Sequence, residues 1–159
     1  MKDVYWAETE PQPTNTTAQT NSDSSSESND VVEAVNNRIY FYSAVTRTKV
    51  LQLNKALTNL NTNLVNRANS LQLKTLGEVH LHINSYGGSV FAGLAAVDYV
   101  RSSEVPVHTV AEGCVASAAT LFSVVGHHRQ IRQNSCMLIH QLSSGMWGKY
   151  EEMKDAMEN

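Results

Sequence analysis

The sequence is poor in the features that define several large protein classes. No apolar stretch approaches the length needed to span a bilayer, and the N-terminus has no basic segment leading into an apolar one, so neither a membrane span nor a secretory signal is expected. No basic run is dense enough to suggest nucleic acid as a partner. Only two cysteines occur, Cys114 and Cys136. Both sit among apolar residues and read as buried free thiols in a reducing cytoplasm. A GxxxxGK[ST] phosphate loop is missing. The six histidines include two close pairs, His80 with His82 and His127 with His128. Neither pair has a cysteine or an acid at a zinc-like spacing, so no metal and no cofactor is expected.

What is present is unevenly distributed. The chain of 159 residues is long enough for one domain. Residues 1–36 hold one basic residue, Lys2, against seven acidic ones, whereas the remaining 123 hold 11 basic and 8 acidic. An acidic leader therefore precedes a mildly basic body. Within 11–30, twelve of twenty residues are Ser, Thr or Asn and none is Val, Ile, Leu, Met or aromatic. Such a segment cannot bury enough apolar surface to offset chain entropy, so 1–36 is expected to be a disordered leader and 37–159 the folded domain.

From Asn36 the pattern alternates between strand and helix. "RIYFYS" (38–43) reads as a strand. Thr46 can cap a helix in which Val50, Leu53, Leu57, Leu60 and Leu64 recur at steps of three or four. "EVHLHIN" (78–84) is a strand with Val79, Leu81 and Ile83 on one face. The turn "SYGG" follows, then a helix with Val90, Leu94, Val97 and Val100 as its stripe. "PVHTVAEG" (106–113) is a further strand and "SAATLFSVVG" a buried helix. "RQIR" and "CMLIHQ" read as a hairpin around "QNS". From Lys149 an amphipathic helix opens, with Tyr150, Met153 and Met157 on one side. The order predicts an α/β fold built from right-handed crossovers.

Two turns and one strand end attract chemical interest. In "INSYGGSV" a strand ends, paired glycines turn the chain and a helix starts. Backbone N–H groups there suit an oxyanion, although a plain tight turn satisfies the same residues. Ser117, in "GCVASAATLF", sits near a helix start, where the dipole favours developing negative charge. It is either a nucleophile or a helix N-cap. The GxSxG elbow does not apply, because position 119 is Ala. His140 ends the strand "CMLIH" and matters only if it reaches Ser117.

Taken together, "INSYGGSVFAGLAAVDYV", "VAEGCVASAATLF" and "QNSCMLIHQLSSGMWG" resemble the Clp protease proteolytic subunit family, ClpP, with its INSPGG, GxAASM and PNSxxMIHQP motifs in that order. The resemblance covers roughly 38–159. It implies a ClpP/crotonase-like spiral of β-β-α units and a serine endopeptidase acting on unfolded polypeptides inside homo-oligomeric rings, fed by an AAA+ unfoldase, in the cytoplasm. By the same resemblance Ser117 matches the nucleophile and His140 the general base. Gly88 and Ala118 match the backbone donors of the oxyanion hole. Tyr86, Gln133 and Leu142 replace family prolines, Val115 replaces Ala, and Ala118 stands where Met is common. The family's triad acid lies well beyond the His, whereas this chain ends 19 residues after His140. Asp98, Glu151, Glu152 and Asp155 are each poorly placed for that role, so the resemblance implies a chain incomplete at its C-terminus. A catalytically silent ring subunit is the alternative, and an acyl-CoA-binding enzyme of the crotonase type is a third reading.

Overall fold

The computed structural model describes residues 30–141. The expected leader up to residue 29, the loop from Leu142 and the helix from Lys149 lie outside that range. Nine elements follow one another: β1 (Val31–Val35), β2 (Arg38–Tyr42), α1 (Arg47–Ser70), β3 (Val79–Ser85), α2 (Val90–Ser102), β4 (Val107–Ala116), α3 (Ala118–Ser123), β5 (His128–Ile131) and β6 (Cys136–Leu138). The sheet runs β1-β2-β3-β4-β5, with β6 also on β4. Every pairing except the antiparallel β1–β2 is parallel, as strand–helix–strand crossovers require. The expected α/β class holds.

The parallel strands alternate. Ile39, Phe41, Leu81, Ile83 and Ala111 face the helices and are buried with Val50, Leu53, Leu57 and Phe122 in one core, where Phe41 and Phe122 meet edge to face with ring centroids 5.3 Å apart. The opposite face carries Tyr40, His80, His82, His108 and Glu112, as the period of two demands. Thr46 caps α1 as expected, its Oγ1 accepting from the Lys49 N–H at 3.2 Å. The helix continues to Ser70, past the Asn- and Thr-rich stretch.

Four expectations need correction. The body begins before Asn36: Val31–Val35, assigned to the leader, pairs with Arg38–Tyr42 across a tight turn at Asn36 and Asn37. Asn36 takes φ 54° there, a conformation asparagine tolerates better than most residues. Second, β5 and β6 do not pair with each other. β4 changes register against β3 between Ile83 and Ser85, around Gly113 at φ 61°. Its outer edge thus falls into two segments: residues 108–111 take β5 and residues 114–116 take β6. Third, the buried face of α2 is Ala92, Gly93, Ala96 and Val100, while Leu94 is exposed. Small residues line that face because α3 approaches closely: a Cβ on Gly93 would sit 2.9 Å from the Ala118 carbonyl oxygen. Fourth, the two thiols are not buried: Cys114 is half-buried, Cys136 is exposed, and the two are cross-strand neighbours. Its partial desolvation, followed by the contact with Cys136, pushes the Cys114 thiol above its usual range.

Candidate active site

Three segments end together. The turn after β3 carries Gly87 and Gly88, the turn after β4 carries Ser117, and the chain leaving β6 carries His140. All three lie beyond the carboxyl ends of parallel strands, where open α/β sheets gather ligands. Gly88, Ser117, Ala118 and His140 line one cleft of about 250 Å³, walled by Val90, Leu121 and Ile139. The four residues singled out from the sequence are therefore brought to one place.

Ser117 stands at the N-terminus of α3 with φ 54° and ψ −129°, and its hydroxyl caps no helix N–H. The N-cap reading is overturned. A non-glycine residue in the left-handed region costs on the order of 1–2 kcal/mol, and here no cap bond offsets that cost. The backbone is instead held from both sides. The Ser117 N–H donates to the Leu138 carbonyl at 2.9 Å, and the Ser117 carbonyl accepts from the Thr120 N–H at 3.0 Å and from Thr120 Oγ1 at 2.7 Å.

The glycine turn packs directly on this serine. A Cβ on Gly87 would lie 2.6 Å from Ser117 Cβ and 2.8 Å from the Ala116 carbonyl oxygen, so only glycine lets the two turns touch. Gly88 is bridged to Val45: the Val45 N–H donates to the Gly87 carbonyl and the Ser89 N–H to the Val45 carbonyl, both at 2.8 Å. In such a parallel bridge the central residue's own N–H points away from the partner. The Gly88 N–H is thereby left without a backbone acceptor among the described residues. Ala118 is the first residue of α3, and a helix's first N–H has no intrahelical acceptor. Two donors that have no acceptor among the described residues thus border the cleft.

His140 is exposed, and its Nδ1 lies 2.6 Å from the Gln141 carbonyl oxygen. A carbonyl only accepts, so Nδ1 carries the hydrogen and Nε2 of the neutral ring keeps its lone pair. None of the ion pairs among the described residues involves His140.

A polar network on the face of the sheet turned away from the helices escaped the sequence reading. His82, almost wholly buried, stacks on Tyr40 with centroids 4.8 Å apart. Its Nε2 accepts from Arg38 Nη1 at 2.9 Å, so its Nδ1–H donates to Glu112 Oε1 at 2.8 Å. Tyr42 and Arg132 also donate to Glu112. Burial pushes the Glu112 carboxyl up, but hydrogen bonds from Tyr42, His82 and Arg132 outweigh it and hold the group below the usual range. Tyr42 is pushed up to about 12, first by burial and then by its bond to Glu112. The alternation of β2, β3 and β4 put these residues on one face, but no spacing within one segment signals a cluster drawn from four.

A mostly parallel wound sheet with a strained serine turn, two backbone donors lacking an acceptor among the described residues, and an imidazole at its strand ends belongs to the class of α/β proteins that present a hydroxyl at a carboxyl-end cleft. The comparisons with known proteins narrow the class. The family model described as Clp protease matches residues 27–159, and the chain belongs to that family. It is similar to the ATP-dependent Clp protease proteolytic subunit 2 of Synechococcus sp. (strain CC9605), 31% identical over 118 residues, covering 71% of this chain and 59% of the relative. It is also similar to the ATP-dependent Clp protease proteolytic subunit of Leuconostoc citreum (strain KM20), 40% identical over 73 residues, covering 45% and 36%. A solved structure of a ClpP1 mutant from Listeria monocytogenes superposes with a TM-score of 0.62 at 22% identity, covering 77% of this chain and 63% of that one; it shares the fold. The chain spans less than two thirds of the length of these relatives. Among the described residues no helix is long and apolar enough to cross a membrane.

Proposed function

We propose that the chain is a subunit of a serine endopeptidase that cleaves extended, unfolded polypeptide. Ser117 Oγ attacks the scissile carbonyl carbon while His140 Nε2 takes the hydroxyl proton. The N–H groups of Gly88 and Ala118 receive the oxyanion, and the imidazolium then protonates the departing amine. The observation that carries this reading is Ser117 itself: a left-handed residue whose hydroxyl caps nothing and opens into the cleft that His140 also lines. Strain of this kind persists where the surroundings enforce it and clusters at active sites. The exposed edge residues Ile139 to Gln141 suit backbone pairing with an extended substrate. Membership of the Clp protease family supports assembly into homo-oligomeric rings in the cytoplasm with an AAA+ unfoldase as partner. A catalytically silent ring subunit is the second reading, favoured by one observation: the acceptor on His140 Nδ1 is the neutral Gln141 carbonyl. A carbonyl fixes the tautomer but adds no negative charge to stabilise the imidazolium, and disturbing the triad acid in serine proteases costs about 10⁴ in rate.

The test is reaction of the 159-residue chain with a fluorophosphonate, with the adduct located by mass spectrometry. Adduct on Ser117, abolished in Ser117→Ala and strongly slowed in His140→Ala, is the expected result. Absence of adduct, or adduct that survives Ser117→Ala, overturns the nucleophile assignment and favours the silent subunit.

A further inference from the structure

The end of the sheet opposite the cleft holds an unusual concentration of imidazoles. His80, His108 and His128 occupy one row across β3, β4 and β5, each the register partner of the next. Neighbouring strands lie about 4.8 Å apart, so the rings are forced together: centroids are 5.4 Å apart for His80 and His108 and 5.6 Å for His108 and His128. His127 stacks on His108 at 5.8 Å. Four of the chain's six histidines therefore share one patch. Glu78, two residues before His80 and so on the same face, places one carboxylate oxygen 2.9 Å from His80 Nε2 and the other 3.7 Å from His108 Nδ1.

We propose that Glu78, His80 and His108 form a binding site for one divalent transition-metal ion of the zinc class, with a water completing the coordination. Their ligand atoms all lie within 4.8 Å of one another. Zinc bonds to nitrogen and oxygen of about 2.0–2.1 Å at tetrahedral angles put neighbouring ligand atoms about 3.3 Å apart, so small side-chain rotations close the set. Two imidazoles and one carboxylate select zinc, cobalt, nickel or copper over magnesium and calcium, which require an oxygen shell. Little is lost when the ion enters, because a half-exposed Glu–His pair contributes little by itself. The sequence spacing missed the site because its ligands come from separate strands. From Glu78 to the glycine turn is the length of β3, about 20 Å, so the ion would join the starts of β3 and β4 without touching the cleft.

The test is titration of the untagged 159-residue chain with Zn²⁺ by calorimetry and with Co²⁺ by visible absorption, alongside thermal unfolding with and without zinc. Expected are one ion per chain, intense cobalt bands of low coordination number, and a raised unfolding midpoint. His80→Ala and His108→Ala should each weaken binding at least about 100-fold, the upper range for losing even an outer-shell partner, and His140→Ala should bind as the parent does. Glu78→Gln, an exposed change that spares the fold, should weaken binding and abolish the zinc-dependent shift. No saturable binding, binding that survives His80→Ala, His108→Ala and Glu78→Gln, or binding lost in His140→Ala would overturn the proposal.

Discussion

Replacing Gly87 with alanine tests the idea that contact between two turns shapes the cleft. Gly87 has φ 97°, and the added Cβ would meet Ser117 Cβ at 2.6 Å, the Ala116 carbonyl oxygen at 2.8 Å and the Ala118 nitrogen at 3.1 Å. Ordinary carbon–carbon contact begins near 3.5 Å, so one turn must retreat by roughly 1 Å. None of the three atoms is the loose end of a side chain. The positive φ adds about 1–2 kcal/mol for a residue with a Cβ, and the steric displacement a comparable amount, for a total of about 2–4 kcal/mol. For a chain of this length that lowers the unfolding midpoint by about 5–15 °C. A 1 Å displacement of a reacting group costs on the order of 100-fold in rate, so fluorophosphonate labelling of Ser117 should fall by that factor in whatever fraction remains folded. Gly77→Ala is the control: the one tight contact of its Cβ is the flexible Leu64 Cδ2 at 3.1 Å, the Asn37 Nδ2 and Leu64 Cδ1 atoms lie at an ordinary 3.7 Å, and no positive φ is involved, so it should shift the midpoint by a few degrees at most. Circular dichroism melts and labelling rates of the two variants decide the matter. A Gly87→Ala protein that melts and labels like its parent would refute the close-contact account.

Phe122→Ala, which empties a fully buried site against Phe41, should cost about 3–5 kcal/mol in urea unfolding. Glu112 is held below the usual carboxylate range in the folded state, so its contribution is complete above the unfolded pKa of about 4.3 and is lost as pH falls through the folded value. Urea midpoints measured downward from pH 5 should therefore drop, and Glu112→Gln should remove that part of the slope.

Much of this architecture was legible because its signals are local. Thr46 before a run of leucines at helical steps, and Val79, Leu81 and Ile83 alternating before a glycine turn, each specify an element within one window. The cleft was legible through the order of three motifs, though residue pattern alone left Ser117 divided between nucleophile and cap; its backbone angles and idle hydroxyl removed the cap. The errors fell where partners are distant. Asn36-Asn37 between two β-prone runs was a hairpin signal, outweighed by the acidic leader next to it. Around "QNS", local pairing lost to the ten-residue β4, whose irregular edge offered each short strand its own partner. Leu94 looked like core because of its size, but α3 packs closely enough on α2 to admit only small residues there.

The two halves of the cleft rest on parts of the sheet with different local stability. Ser117 follows directly on β4, an inner strand paired on both sides, whereas His140 hangs from β6, three exposed residues on an edge. Free energies of local opening range from near zero at frayed edges to the global value in the core. Loss of β6 from the edge can therefore carry the imidazole away while the other strands stay paired, and it breaks the bond from the Ser117 N–H to the Leu138 carbonyl. Hydrogen exchange at that single amide reads out the whole site: its protection gives the free energy of parting nucleophile from base, separately from that of global unfolding.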